Sequence, residues 1–205
     1  MSHRLEFFFD CSSPWTYLAF EYVQRQLAAL DVVIEWKPIL VGGIFNTVNP
    51  SVYASREKPV VPKARYMRKD LADWAAFVGL DIGWPEVFPV NSVKAMRGAF
   101  FALEHDALVP YARAVFARYW TDLEDISQDA VLARAVSVAG LDQAAFFAAI
   151  ASQPYKDRLR ANTDELIARG GFGSPTMFLD GDDMYFGNDR VDLVRWRIEQ
   201  GGGAR

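Results

Sequence analysis

The sequence predicts an α/β fold in which an opening strand–helix–strand unit is followed by a long helical block and a closing β-hairpin. Apolar residues 4–9 indicate a buried strand, residues 14–30 an amphipathic helix, and the alternating residues 32–37 a second strand. Two strands joined by a crossover of this length run parallel. Near the other end, an Asp180-Gly181 turn between two short apolar runs predicts the hairpin.

The middle of the chain is predicted to be mostly helical. Residues 41–50 are marked by glycine and proline and predict a loop. Apolar residues at spacings of three and four then predict helices, with Ser92, Ser127 and Asp142 as N-terminal caps. The predicted helices span 66–78, 93–103, 111–123 and 155–169, with two shorter ones after Ser127 and Asp142. The hairpin strands span 176–179 and 184–186, and a closing helix begins after Gly187.

This order of elements is that of a thioredoxin fold with an all-helical domain inserted after the second strand. The predicted parts are a discontinuous thioredoxin-like domain at 1–38 and 170–200, a helical insertion domain at 39–154, a return helix at 155–169, and a flexible tail at 201–205. Thioredoxin folds carry a cis proline just before the third strand, and Pro175 occupies that place. The N-terminus of the first helix is expected to lie beside this proline.

Composition restricts the classes of function. The 205 residues carry a formal net charge of -4, which argues against a nucleic acid or an anionic membrane as partner. The single cysteine, Cys11, can form no disulfide within the chain, and His3 and His105 lack the ligand spacing of a zinc site. Neither a signal sequence nor an apolar span of bilayer length is seen, which predicts a soluble, cytoplasmic protein. We therefore expect a small partner and no metal.

The candidate functional residue is Ser13, at the junction between the first strand and the first helix. Ser13 has the character of a helix N-cap, and Pro14 suits the first helical position. A helix N-terminus favours negative charge, so an anion or a thiolate placed beside the Ser13 hydroxyl would be stabilised. A purely structural cap fits the same residues equally well.

Four separated motifs resemble those of the 2-hydroxychromene-2-carboxylate isomerases, a glutathione-dependent branch of the DsbA-like and kappa-class glutathione transferase family. The motifs are FDCSSPWTYL at 9–18, KARYMRKDL at 63–71, FPVNS at 88–92, and FGSPT at 172–176 with GNDR at 187–190. The resemblance covers residues 5–198. It implies that Ser13 stands where related oxidoreductases have the first cysteine of Cys-x-x-Cys, and that Thr16 stands in place of the second.

The resemblance also implies a set of glutathione-binding residues. The Ser13 hydroxyl would hydrogen-bond the sulfur, and Ser174, which replaces the family's usual apolar residue, would pair with the cysteinyl unit through its backbone. The expected set is Ser13, Asn49 and Lys63 for the thiol, central and glycyl parts, Ser174 and Pro175 for the cysteinyl backbone, and Asn188 and Asp189 for the γ-glutamyl end. Cap residues and a solvated lysine are the structural alternatives for Asn188, Asp189 and Lys63.

The implied reaction is the cis–trans isomerisation of 2-hydroxychromene-2-carboxylate to trans-o-hydroxybenzylidenepyruvate, or of a related intermediate in the breakdown of aromatic compounds such as naphthalene. Glutathione thiolate would add to the conjugated double bond, permit rotation, and leave. Asn91 would hydrogen-bond this small aromatic carboxylate, and Phe45 and Trp84 would line its apolar side. Family members are commonly homodimers.

Three other functions remain open from the sequence. A kappa-type glutathione transferase would use the same site. A DsbA-like thiol oxidoreductase would use Cys11, although Cys11 lies two residues before the position where the helix dipole acts best. A non-catalytic thioredoxin-fold binding protein would keep the fold and bind no glutathione.

Overall fold

The computed structural model describes residues 2–201 and contains one four-stranded mixed sheet. The strands are β1 (His3–Phe9), β2 (Val32–Pro38), β3 (Thr176–Leu179) and β4 (Asp183–Phe186), in the spatial order β2-β1-β3-β4. β1 runs parallel to β2 and antiparallel to β3, and β3 runs antiparallel to β4. This is the thioredoxin topology, and the predicted fold class is confirmed.

Ten α-helices lie within residues 2–201, and eight of them follow β2 before the chain returns to the sheet. They are α1 (Pro14–Leu27), α2 (Val41–Thr47), α3 (Ser51–Glu57), α4 (Val61–Val78), α5 (Val93–Glu104), α6 (Leu108–Trp120), α7 (Asp129–Val138), α8 (Gln143–Ala151), α9 (Gln153–Ala168) and α10 (Val191–Glu199). A short 3-10 turn, Asn188–Arg190, precedes α10. Each predicted helix is present, with its ends displaced by a few residues, and α2 and α3 are additional.

The prediction of a loop at 41–50 is wrong. Helix α2 occupies most of this segment, and α3 begins directly after it. Gly42, Gly43 and Asn46 have low helix propensity, and this made the segment resemble a loop. Tertiary contacts override the propensity: Val41 and Ile44 are buried on one face of α2.

Of the three caps predicted in the helical block, Asp142 is confirmed, Ser92 occupies the N-cap position without a side-chain capping bond, and Ser127 is wrong. Asp142 caps α8, since its Oδ1 accepts the Ala145 N–H at 2.7 Å. Ser92 precedes α5, but its hydroxyl donates to a distant carboxylate instead of capping the helix. Ser127 lies one residue outside the cap position of α7, which Gln128 occupies.

One continuous hydrophobic core joins the sheet, α1 and the inserted helices. The ring of Phe20 in α1 lies 4.8 Å from Trp36 of β2 and 5.3 Å from Phe116 of α6, measured between centroids. Tyr17 stacks on the same Phe116 at 5.0 Å and an interplanar angle of 5°. Because both parts share this core, the predicted boundaries of the two domains stay a prediction. Residues 202–205 of the predicted tail lie outside the described residues.

Within residues 2–201, none of the helices combines the length and the apolar character needed to cross a bilayer. The same residues bring together no group of three histidine, cysteine or carboxylate side chains that would hold a metal ion.

Candidate active site

A cavity of about 940 Å³ opens where α1 begins, between the α2–α4 segment, the loop before α5 and the loop before β3. Ligand pockets typically measure about 300–1,000 Å³, so this cavity is large enough for a ligand and a second small molecule. Its walls include these residues predicted from the sequence: Ser13, Phe45, Asn49, Lys63, Trp84, Asn91 and Ser174. The cavity therefore gathers into one place residues that are up to 161 positions apart in the chain.

The remaining predicted residues do not line this cavity. Pro175 follows Ser174 through a cis peptide bond, the isomer that thioredoxin folds carry at this place, and is buried. Asn188 is buried in the 3-10 turn, and Asp189 pairs with the adjacent Arg190 at 2.6 Å. A role of Asn188 and Asp189 in ligand binding stays a prediction.

Ser13 is both a helix cap and a wall of the cavity. Its Oγ accepts the Thr16 N–H at 3.2 Å, as an N-cap should, and donates to the carbonyl oxygen of Ser174 at 3.3 Å. The side chain is half-buried and reachable from the cavity. Because a hydroxyl proton rotates freely, a sulfur atom placed here would compete with the Ser174 carbonyl for it.

Ser174 contributes its side chain as well as its backbone. Its Oγ accepts the Asp10 N–H at 3.1 Å and shares a hydrogen bond of 2.8 Å with the Thr16 hydroxyl. Both hydroxyls are buried. The expectation that only the Ser174 backbone matters is therefore incomplete, because its side chain joins the end of β1 to the first turn of α1.

Asp10 joins the starts of three helices that border the cavity, and it was not among the residues predicted from the sequence. Its carboxylate is fully buried and accepts three hydrogen bonds: Ser12 N–H at 2.9 Å, Val41 N–H at 2.9 Å and the Ser92 hydroxyl at 3.0 Å. These donors stand at the starts of α1, α2 and α5. Burial raises the pKa of the Asp10 carboxyl, and the three hydrogen bonds oppose that rise. The one local signal was an aspartate ending an apolar strand.

Cys11 is buried and is not among the residues that line the cavity. The residue is 1% exposed, its N–H donates to Met96 Sδ at 3.3 Å, and its carbonyl accepts the Trp120 indole N–H at 2.9 Å. Burial raises the pKa of the Cys11 thiol well above its ordinary value. These features are typical of an inert structural cysteine and disfavour the oxidoreductase that would use it.

We expect Cys11 to resist alkylation in the folded protein. Iodoacetamide at pH 7.5 should leave the native chain unmodified and should modify it after unfolding in guanidinium, as read by mass spectrometry. In the isomerase that the sequence resemblance implies, Cys11→Ala should keep glutathione-dependent turnover within a few-fold of the parent. Fast alkylation of the native protein, or loss of turnover in a folded Cys11→Ala variant, would restore the redox hypothesis.

The charged residues that line the cavity are all cations: Arg56, Lys58 and Lys63. The described residues supply no aspartate or glutamate to the lining, although the whole chain carries a net charge of -4. The guanidinium carbon of Arg56 lies 5.6 Å from the Phe45 ring centroid and 5.2 Å from that of Phe88. The lining thus suits anionic ligands with an apolar or aromatic part.

Aromatic side chains form much of the remaining wall. Trp84 and Phe88 meet edge to face at 6.0 Å and are 53% and 38% exposed. Phe172, in the loop before β3, and Phe186, at the end of β4, also line the cavity; their ring centroids lie 4.4 Å apart and each residue is 39% exposed. Exposed rings grouped in one concave wall are characteristic of a binding site. Phe45 and Trp84 lie in this wall, and their contact with a substrate stays a prediction.

Two asparagines predicted to bind a ligand already hydrogen-bond to other residues of the protein. Asn49 donates from Nδ2 to the Phe172 carbonyl at 3.2 Å and accepts the Ser51 hydroxyl at 2.8 Å. Asn91 accepts the Val93 N–H at 3.1 Å, directly at the start of α5. A ligand would have to share these groups, and their roles in binding stay predictions.

Comparison with known proteins places the chain in a family. Residues 4–199 match the model of the DSBA-like thioredoxin domain. A 2-hydroxychromene-2-carboxylate isomerase of Sphingobium xenophagum is 28% identical over 194 residues, which is 95% of this chain and 97% of the relative. Glutathione S-transferase kappa 1 of Homo sapiens is 30% identical over 210 residues, covering 95% and 90% of the two chains.

A solved structure of a 2-hydroxychromene-2-carboxylate isomerase agrees with the same assignment. It superposes with a TM-score of 0.82 at 26% identity and covers 96% of this chain and 95% of that chain. The chain belongs to the DSBA-like thioredoxin domain family, and within it to the group that contains the 2-hydroxychromene-2-carboxylate isomerases and the kappa-class glutathione transferases.

Proposed function

We propose that this protein is a glutathione-dependent isomerase that converts 2-hydroxychromene-2-carboxylate, or a related aromatic intermediate, into the trans-o-hydroxybenzylidenepyruvate type of product. The observation that carries the proposal is the Ser13 hydroxyl, held at the N-terminus of α1 on the wall of a cavity lined by three cations and no carboxylate of the described residues. The isomerase relatives, which match over nearly their whole length, support the reaction class. In the same proposal the protein acts in the cytoplasm as a homodimer.

The lining residues fit glutathione, which has two carboxylates and one thiol. Lys63 would hold the glycyl carboxylate, and the Ser174 backbone would pair with the cysteinyl unit. When bound, glutathione supplies a thiolate that adds reversibly to the conjugated double bond of the substrate and so allows rotation about it.

Ser13 and the N-terminus of α1 would activate the glutathione thiol. A free thiol has a pKa of about 8.5, and a helix N-terminus with a donor hydroxyl lowers that value. To donate to sulfur, the Ser13 hydroxyl must release the Ser174 carbonyl, its acceptor at 3.3 Å. A long hydrogen bond costs little to exchange for a charge-assisted one. Ser13 therefore acts by stabilising a negative charge on sulfur, without becoming a nucleophile itself.

An isomerase recycles glutathione, and we expect one equivalent to support many turnovers. With substrate in tenfold excess over glutathione, all the substrate should isomerise and the free thiol should be recovered in full. Absorbance would follow the isomerisation, and a thiol titration would follow the glutathione. A kappa-type transferase, which the 30% identity to the human kappa-class relative favours as the second candidate, would consume one glutathione per turnover.

Binding measurements provide the control for that experiment. A ligand that binds only the folded state and is present at a concentration 100 times its dissociation constant stabilises that state by about 2.7 kcal/mol. Millimolar glutathione should therefore raise the midpoint of thermal unfolding. S-methylglutathione should bind and support no turnover, because its sulfur cannot ionise. Absence of heat and of a thermal shift with glutathione would favour the non-catalytic binding protein.

A further inference from the structure

Arg56 has an environment that distinguishes it from the arginines on the rest of the surface. It projects from α3 into the cavity wall, and its guanidinium carbon lies within 6 Å of the ring centroids of Phe45 and Phe88. Among residues 2–201, no carboxylate lies within ion-pair distance of it. By contrast, Arg113 pairs with Glu21 at 2.7 Å and Arg169 with Glu6 at 2.8 Å.

The contacts of Arg56 leave its hydrogen-bond donors available. A guanidinium interacts with an aromatic ring through its flat face, and its N–H groups lie in the plane at the edge. Two N–H groups at that edge match the two oxygens of a carboxylate. The two phenyl rings thus contact the cation without satisfying its donors, in a wall to which the described residues contribute no competing carboxylate.

The rings around Arg56 favour an aromatic partner for its charge. Phe88 also lies against Trp84 at 6.0 Å, and both rings are partly exposed to the cavity. A planar aromatic acid would cover these rings while its carboxylate meets Arg56. The glycyl carboxylate of glutathione would gain nothing from the rings, and Lys63 is available for it in the same cavity.

We propose that Arg56 is the specificity-determining residue that binds the carboxylate of the aromatic substrate, and that Phe45 and Phe88 orient its guanidinium for this purpose. The inference rests on the proposed function and adds to it the residue that recognises the carboxylate of the aromatic substrate. It also divides the cations of the cavity between two ligands: Lys63 serves glutathione and Arg56 serves the second substrate.

Calorimetric titration with trans-cinnamate, its neutral analogue trans-cinnamamide, and glutathione tests the proposal. Arg56→Met should weaken cinnamate binding at least tenfold, leave cinnamamide binding unchanged, and keep the glutathione dissociation constant within twofold. Arg56→Lys keeps the charge but loses the paired donors, so its cinnamate affinity should fall between the parent and Arg56→Met. Lys63→Met should show the opposite pattern, with weaker glutathione binding and unchanged cinnamate binding.

Arg65→Met is the matched control, because Arg65 is exposed on α4 and does not line the cavity. It should bind all three ligands as the parent does, and thermal denaturation will confirm that each variant is folded. The proposal is wrong if the parent does not bind cinnamate at millimolar concentration, if Arg56→Met binds cinnamate normally, or if it loses glutathione instead. Recycling of glutathione is measured without cinnamate, so failure of the isomerase proposal is a separate result.

Discussion

Replacing Ser13 with alanine should lower the glutathione-dependent turnover number by about 10²- to 10³-fold, the usual loss when one donor to a developing charge is removed. The dissociation constant of glutathione should change by no more than a few-fold, because the tripeptide has other contacts in the cavity. Steady-state kinetics and calorimetry would separate the two effects. Since the alanine variant loses an aid to ionisation of the thiol, its activity should recover in part as the pH is raised from 7 to 9.

The Ser13 experiment needs a control for folding, because Ser13 also caps α1. Loss of an N-cap typically costs about 0.5–2 kcal/mol, which thermal denaturation will register. Ser137→Ala is a matched variant: its hydroxyl is exposed and donates to the Ala133 carbonyl within α7, away from the cavity. A folded Ser13→Ala protein with the activity of the parent would overturn the role assigned to the hydroxyl.

Replacing Asp10 with alanine should reduce the free energy of unfolding by about 3–5 kcal/mol, a range typical of removing one partner from a buried charged network. The change leaves the Ser12 and Val41 N–H groups and the Ser92 hydroxyl without their acceptor. Urea denaturation would measure the loss. Because these donors begin three helices that border the cavity, glutathione binding should weaken in the same variant.

The pH dependence of stability tests the buried carboxyl more finely. Burial raises the pKa of Asp10 above its ordinary value of 3.8, so the folded state holds this proton more tightly than the unfolded state. The contribution of this tighter proton binding to the free energy of unfolding is fully present below pH 3.8, and it is lost as the pH rises through the raised pKa of the folded state.

Asp10→Asn is the matched variant for that measurement, since it keeps the size of the side chain and cannot ionise. The unfolding free energy of the parent minus that of Asp10→Asn should therefore fall as the pH increases from 4 toward 8. Titrations of other groups cancel in the difference. A difference that grows with pH would mean that the three hydrogen bonds lower the pKa of Asp10 by more than burial raises it.

The parts of the fold that depend on local pattern could be predicted from the sequence. The strand, capped helix and second strand at the start, and the hairpin around Asp180, follow from periodicity and turn residues. The sequence pattern missed α2, because Gly42 and Gly43 disfavour a helix while the contact that fixes its start comes from Asp10, 31 residues earlier. A distant acceptor leaves no trace in the composition of the helix it holds.

The same distinction applies to the site. Ser13 could be identified because a cap and a following proline are neighbours in sequence. Ser92 also stands before an apolar helical pattern and was predicted as a cap, yet its hydroxyl donates to Asp10. Arg56 belongs to a stretch with several cations, and only the positions of Phe45 and Phe88 single it out. Which of several similar charges faces a ligand is decided by packing between segments that are far apart in the chain.

The chain is acidic overall, yet the described residues place no carboxylate in the cavity lining, and this contrast affects how anions arrive. At physiological ionic strength the field of a surface charge is screened over about 8 Å. An incoming anion is therefore repelled weakly by the surface as a whole and attracted only near the mouth, where Arg56, Lys58 and Lys63 stand. Added salt should act mainly by slowing capture, while the rate of departure, set by close contacts, stays nearly constant.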